Sequence, residues 1–407
     1  MIQERVPLGE LIRIKHGFAF KGVHFTDSGK YIVLTPGNFR NEGGLKLKGE
    51  KEKYYAIQPP EDYILNEGDL LVVMTDLVGT APMLGGSLIV PESDKFLHNQ
   101  RLGLVTIIDE ERIGKGYLYH LLNMPNYRGQ IRGSASGATV RHTAPERIYK
   151  AIVNLPERQF QDRVSKIVDS YNDLIANNRR RIKLLEEAAR LIYRDWFISL
   201  RFPGHELSKI ENGRPEGWHQ APIADLTEFL SRGISPSYDD DAPGLVINQK
   251  CVRDGLLDLG PARHQCKKVP APKLVQVGDV LVNSTGAGTL GRVAQVLEEI
   301  PDCTVDSHVT IVRPREDLSP AWFGMALVSM QSVIEGMGKG ATNQTELSKT
   351  DLGELKLTVP SKAVSDEFDQ LVSPLRRQVQ VLRNQCKALQ RARDLLLPRL
   401  MSGEIEV

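Results

Sequence analysis

The sequence has little of what most functional classes require. It has only four cysteines in 407 residues, Cys251, Cys266, Cys303 and Cys386, and no CxxC pair. A scatter of this kind predicts a reducing, cytoplasmic setting and argues against a zinc finger. No run approaches the ~18 apolar residues of a membrane span. The opening "MIQERVPLGELI" has no long apolar region, so no signal peptide is expected. There is no GxxxxGK[ST] loop to cradle a phosphate, no HxxxH or HExxH, and no Asn-Pro-Pro-aromatic stretch of a base-methylating site. "QPPE" (Gln58 to Glu61) fails that last pattern at both ends, and "DEER" (Asp109 to Arg112) reads as a charged turn. "ELK" (Glu354 to Lys356) could be part of a nuclease carboxylate-lysine set, but its nearest Pro-Asp, Pro301-Asp302, is far away and the segment reads as strand.

Charge of one sign is also missing. Fifty-two basic residues face 51 acidic ones, for a net charge of +1. A strong basic excess is the usual footprint of a nucleic-acid binder. Neutrality still allows a local basic cleft balanced by acidic surface elsewhere. Apolar content of 41% and charged content of 25% are those of an ordinary globular protein, and the length suggests about two or three domains.

One stretch does spell a cofactor motif. "GDVLVNSTGAGTLGRV" (Gly278 to Val293) is an apolar strand followed by Gly286-x-Gly288-x-x-Gly291, and Asp306 follows at the distance of the ribose-binding acid in a dinucleotide fingerprint. The rest of the chain argues against a nucleotide there, because the chain is an internal repeat. "VPLGEL" near the N-terminus returns as "APIADL" after Trp218, and "NEGDLLVVMT" (Asn66 to Thr75) as "QVGDVLVNST" (Gln276 to Thr285). "QRLGLVTI" (Gln100 to Ile107) matches "SHVTIVRP" (Ser307 to Pro314) in strand pattern. "SGATVRHTAPERIYKAIVNLP" (Ser136 to Pro156) matches "KGATNQTELSKTDLGELKLTVP" (Lys339 to Pro360). The first-copy counterpart of the glycine loop is "TDLVGTAPM" (Thr75 to Met83), which keeps only Gly79. The motif also sits inside a run of β segments rather than opening a β-α unit, so it reads as a glycine-rich turn between two strands.

Each copy ends in a long helical pattern. Val164, Val168, Tyr171, Ile175, Asn178, Ile182, Leu185, Ala189, Ile192 and Trp196 step by four and three, the seam of a coiled coil. The second copy repeats it at Phe368, Val372, Leu375, Val379, Leu382, Cys386, Leu389, Arg393, Leu396 and Leu400. Each helix spans about 35–40 residues, roughly 50–60 Å. Two such helices in one chain most simply pair with each other; the alternative is that each packs on its own domain.

The predicted fold class is α+β: two repeated β-rich domains, each followed by a long helix, the two helices pairing as an antiparallel coiled coil with pseudo-two-fold symmetry. The boundaries are residues 1–156 for the first domain, 157–200 for the central helix, 201–217 for a polar linker, 218–360 for the second domain and 361–407 for the C-terminal helix. Strands are expected at "YIVLT", "GDLLVVMT", "RLGLVTII", "LVINQ", "GDVLVNST" and "HVTIVRP", and helices at "GYLYHLLN" and "AWFGMALVSM".

The motifs, repeated in order over nearly the whole chain, resemble the specificity subunit of a type I restriction-modification system. "GFAFKGVHF" (Gly17 to Phe25) resembles the start of its target-recognition domains, and "GDLLVVMTD" and "GDVLVNSTGAGTLG" resemble their central strand and turn. "GATNQTELSKTDLGELKLTVPS" resembles the domain end; "ARLIYRDWFISLRFPGHE" (Ala189 to Glu206) and "LLLPRLMSGEIEV" resemble the ends of the spacer helices. One departure is the missing Glu-Gln dipeptide where the helices begin. The resemblance implies a chain that binds double-stranded DNA and does no chemistry itself. Each domain would read half of an interrupted site. The helices would set the gap and bind two DNA adenine methyltransferase subunits, which carry S-adenosylmethionine. A translocase/nuclease subunit is an optional further partner, no metal or cofactor is expected in this chain, and no membrane is involved.

Base edges are read by Arg, Lys, Asn, Gln, Ser and Thr, and phosphates are held by Lys, Arg and backbone N–H groups. First-copy candidates are Lys15, His16, Lys21, Asn38, Arg40, Thr75, Asn99, Arg101, Ser134, Ser136, Thr139, Arg141 and His142. Second-copy candidates are Arg232, Ser235, Tyr238, Asn248, Lys250, Ser284, Thr285, Arg292, His308, Lys339, Thr342, Asn343 and Gln344. The two "GAT" loops stand out, because glycines there allow close approach. His142 and His308 read as surface or base-contacting residues rather than catalysts, and Phe18 and Phe20 as core. "NNRRR" (Asn177 to Arg181) either faces the DNA backbone between half-sites or is a solvated helix face. Two other readings remain: an enzyme that binds a nucleotide at Gly286 to Gly291, and a stand-alone nucleic-acid-binding scaffold.

Overall fold

A computed structural model describes residues 4–253, 255–340 and 345–407. The chain divides into two compact units, residues 1–175 with 388–407, and residues 176–387. Each unit therefore holds one β-rich domain together with segments of both long helices.

In the first unit, alternation of core and surface residues builds a four-stranded antiparallel sheet. Its order is Ile12–His16, Leu102–Ile107, Leu70–Val73, Ser87–Ile89. Leu70–Val73 is buried on both faces, which explains its unbroken apolar run. One face packs on the helix Lys115–Leu122 through Tyr117, Leu118 and Leu121. The other packs on a second sheet, with Ile32, Leu34 and Phe96 against Leu71 and Val73. The ends of the domain are tied together, since Glu4–Pro7 pairs antiparallel with Ile152–Leu155 just before the central helix.

The second unit repeats this plan. Its sheet runs Thr227–Arg232, Val309–Pro314, Val280–Asn283, Val293–Gln295. The helix Pro320–Ser329 supplies Trp322, Phe323 and Leu327 to one face, and Ile247, Cys303 and Val305 cover the other. His219–Pro222 pairs with Lys356–Val359. The expected strands and helices are all present. The glycine loop leads into the strand Val293–Gln295, antiparallel to Val280–Val282, so it is a turn inside a hairpin.

The two seams meet. Residue numbers fall on one helix as they rise on the other. In the first unit Arg393 donates to Asn172 Oδ1 at 2.8 Å, in the second Asn178 donates to Gln385 Oε1 at 3.3 Å, and Tyr193 packs on Phe368. Pairing is therefore antiparallel, and each seam is buried or half-buried along its length. The helices also pack on the domains: Phe160, Val164 and Val168 enter the first core, and Phe368 and Val372 the second. Both alternatives read from the periodicity are realised at once. The central helix Arg158–Tyr193 ends in a π-helical turn over Arg194–Ile198. The segment expected as a polar linker holds a hairpin, Ile210–Glu211 with Arg214–Pro215, turned by Asn212 and Gly213 at positive φ.

Candidate nucleic-acid interface

The two sheets carry the same corner. In the first, Gly17 N–H donates to Leu102 O, Met74 N–H to Arg101 O, and Thr143 N–H to Met74 O. In the second, Gly233 N–H donates to Val309 O, Ser284 N–H to His308 O, and Leu347 N–H to Ser284 O. These bonds make His16 the counterpart of Arg232, Thr75 of Thr285, and Arg101 of His308. Chain approach is tight enough to require glycine. A Cβ on Gly17 would stand 2.1 Å from Asn99 O, and one on Gly233 would stand 1.8 Å from Val305 O.

Polar side chains gather at this corner. Thr75 pairs with His142 across the Thr75–Asp76 and Arg141–His142 strands, with Thr75 Oγ1 3.0 Å from His142 Nδ1. Ser136 forms a two-way backbone bridge to His142, which closes the first "GAT" loop. In the second unit Thr285 bridges Glu346, and Lys339 bridges the same residue. Thr285 Oγ1 lies 2.8 Å from His308 Nδ1, Arg232 is ion-paired with Glu346, and Lys339 with Asp351 at 2.7 Å. His142, His308, Ser136, Thr139 and Lys339 are exposed, and Thr75 and Thr285 half-exposed. The corner thus offers donors and acceptors on a rigid sheet edge.

The remaining candidates fall into two groups. Lys15, His16, Lys21, Ser134, Ser235, Tyr238 and Lys250 are exposed, while Arg40, Arg101, Arg141, Asn248 and Arg292 are partly so. Lys15 lies over the Tyr63 ring at 4.7 Å. Ser134 Oγ donates to Ile131 O and Arg141 to Arg132 O, so each is partly engaged by the helix Pro125–Ser134. Asn248 caps a turn by accepting from Lys250 N–H.

Three candidates are interior residues. Asn38 is fully buried and bonds Glu52 and Thr35. Asn99 is buried, and its Oδ1 accepts from Arg101 N–H at 3.1 Å. Ser284 is buried with its Oγ 2.5 Å from Thr310 Oγ1. Asn38, Asn99 Oδ1 and Ser284 are engaged in hydrogen bonds inside the fold, as buried polar groups must be, so these three side chains do not stand on the exposed surface. Thr342, Asn343 and Gln344 lie outside the described residues.

Sequence reasoning missed Arg253 and Arg263. Arg263 stacks over the Tyr238 ring at 3.7 Å. Arg253 is exposed and holds the place that Arg40 holds in the first unit, each next to the residue that starts a short antiparallel bridge, Phe39 with Leu45 and Val252 with Leu257. Comparing the two copies position by position would have found it.

Two titratable groups are strongly displaced near these corners. His98 lies beneath Gly17, and its Nε2 is 3.0 Å from Leu102 O. Burial, with Lys15 and His16 nearby, lowers its pKa to about 4. Asp306, the residue that spelled the ribose-binding acid, is buried and accepts from His308 N–H at 2.9 Å. Burial raises its pKa, and its place is structural. The glycine loop it was to serve does not open a helix, so no helix N-terminus waits for a pyrophosphate. Among the described residues, no cluster of His, Cys, Asp and Glu could hold a metal ion.

Duplicated β-rich domains with a shared polar corner, joined to seam-bearing helices, define a class of two-module proteins. Residues 3–187 match the family model of the type I restriction modification DNA specificity domain. The chain is 24% identical to the specificity subunit of the type I restriction enzyme EcoBI of Escherichia coli over 78% of this chain and 66% of that one. It is 21% identical to the MjaIX specificity subunit of Methanocaldococcus jannaschii over 75% of this chain and 72% of that one. Its fold is that of the type I restriction-modification S subunit from M. genitalium, at a TM-score of 0.66, 15% identity and coverage of 98% and 96% of the two chains. In sequence and in fold the chain is similar to type I restriction-modification specificity subunits, in keeping with the resemblance of its motifs.

Proposed function

We propose that the chain is the non-catalytic DNA-specificity subunit of a type I restriction-modification complex, with each domain reading one half of a bipartite site. The observation that carries this reading is the repeated corner. The backbone frame is kept in both units, while the side chains on it differ: His16 against Arg232, Arg101 against His308, His142 against Glu346. A common frame with diverged donors and acceptors is what two different half-sites require. The helices give a stiff spacer. At 36 and 40 residues they reach about 50–60 Å, enough to separate two readers by a helical turn of DNA.

Methyltransferase subunits carrying S-adenosylmethionine would dock on the helices. Leu184 and Leu191 are exposed seven residues apart on the central helix, Ile198 is exposed in the π-helical turn that ends it, and Leu395 is exposed on the C-terminal helix. Exposed apolar side chains in register on a helix face suit a protein partner. A translocase/nuclease subunit would join the same assembly, in the cytoplasm. No helix of the described residues is long and apolar enough to cross a membrane. Affinity purification of the full chain from its native cells tests the proposal: it should bring down an adenine methyltransferase in stoichiometric amount, and recovery of the chain alone would count against it.

A further inference from the structure

The glycine loop that fails as a cofactor site borders an open cleft of about 620 Å³ in the second unit. Arg253 and Arg292 line it, with Gly286 and Gly288 on one wall and Gln331 and Glu335 of the helix Gln331–Glu335 on the other. Thr345 also lines it, next to the Thr285–Glu346 bridge, so the cleft continues the polar corner. Gly288 sits at φ +70° with nothing within 4 Å of an added Cβ, which leaves the mouth unobstructed.

The first unit fills the corresponding place differently. Backbone bonds make Gly85 and Gly86 the counterparts of Gly291 and Arg292: Gly85 N–H and Gly291 N–H donate back to Val73 O and Asn283 O, and Val73 N–H and Asn283 N–H donate to Gly86 O and Arg292 O. Where Gly291 abuts Glu335, Gly85 abuts Ile131. The buried Arg128 guanidinium covers Gly86 and donates to the carbonyls of Asn41 and Pro82. The first loop instead exposes Leu77 and Val78. One arginine in the first unit serves the fold, while two in the second line the cleft.

Their state favours a ligand. The Arg253 side chain makes no hydrogen bond or ion pair among the described residues, and Arg292 gives one Nη2–H to Gly288 O at 2.8 Å, which orients its fork. Gln331 is spent: it donates to Glu335 Oε1 at 2.8 Å and accepts from Val293 N–H. A carboxylate has several lone pairs, so Glu335 can still accept. Two guanidinium donors and one carboxylate acceptor lining the same cleft fit a G·C pair, whose major-groove edge offers guanine O6 and N7 as acceptors and cytosine N4 as a donor. A phosphate fits less well, because Glu335 would repel it.

We infer that this cleft is the guanine-reading subsite of the second domain, with Arg253 and Arg292 as donors to guanine and Glu335 accepting from the paired cytosine. The inference rests on the proposed function and deepens it.

The test uses the full chain in complex with the methyltransferase subunits that co-purify with it, with every methylated site read by single-molecule sequencing. Arg292→Lys keeps the charge and loses the fork; Arg253→Ala removes the other donor. Each should relax one G·C position, in the half-site that stays when the first domain is exchanged, by about 10- to 100-fold in discrimination, with the other positions unchanged. Methylation of an unaltered site set by both variants would overturn the inference. So would a uniform loss at all sites with a shallower salt dependence, the mark of backbone contacts. Absence of any site-specific methylation by the wild-type complex would instead remove the proposed function on which the subsite rests.

Discussion

Thr285 Oγ1 lies 2.8 Å from Nδ1 of His308, and its counterpart Thr75 lies 3.0 Å from Nδ1 of His142, although the two histidines come from different elements. His142 belongs to the "GAT" loop of the first unit, and His308 precedes the strand Val309–Pro314 of the second. The same pair of groups has been assembled twice from different parts of the chain.

If that pair touches DNA, its hydroxyl is felt in binding more than in folding. Thr75→Val and Thr285→Val should each weaken binding of the complex to its cognate duplex by about 3- to 10-fold, the worth of one neutral hydrogen bond. Stability should move by no more than about 0.5 kcal/mol, as both positions are half-exposed. Fluorescence anisotropy and chemical denaturation check the two halves of the statement.

The glycines behind the corner act on the fold. Gly17→Ala and Gly233→Ala each force a methyl group into a backbone carbonyl. Overpacking of this kind costs about 1–3 kcal/mol, and both variants should unfold at lower denaturant than the wild type. Wild-type stability in both would show that the close approach is not real.

His98 makes the first unit sensitive to mild acid. Its folded pKa of about 4 lies below the 6.5 of the free side chain. Above pH 6.5 the imidazole is neutral in both states and contributes nothing to the pH dependence. As pH falls from 6.5 towards 4, only the unfolded chain takes up the proton, so stability is lost, by about 3 kcal/mol in all. Denaturation at pH 7 and pH 4.5 should show this loss in the wild type and a smaller one in His98→Gln.

Much of the fold was legible because it is written twice. The strand "GDLLVV" and its copy "GDVLVN" are buried runs flanked by turn residues, and both form the central pair of their sheets. The seam was legible down to its two polar positions: Asn178 finds Gln385 and Arg393 finds Asn172. The site was legible only in part. Asn38 and Asn99 look like base readers in a polar loop, yet each is an internal cap, and nothing in a single chain separates a side chain that holds its loop from one that reaches out of it. Arg253 carries no signal in the sequence, because a lone arginine gains meaning only from the cleft around it. The glycine loop is a turn between strands in the sequence pattern and in the fold alike, while the opening it leaves between Arg292 and Glu335 exists only once the chain is folded.

The central claim is that each domain reads its own half-site, and exchange of one domain tests it most directly. Residues 1–155 are replaced by the matching domain of a relative with a different target, and the methylated adenines are mapped by single-molecule sequencing. The account predicts that one half of the bipartite site changes while the other half and the spacer length stay. A change in both halves, or in neither, would contradict it.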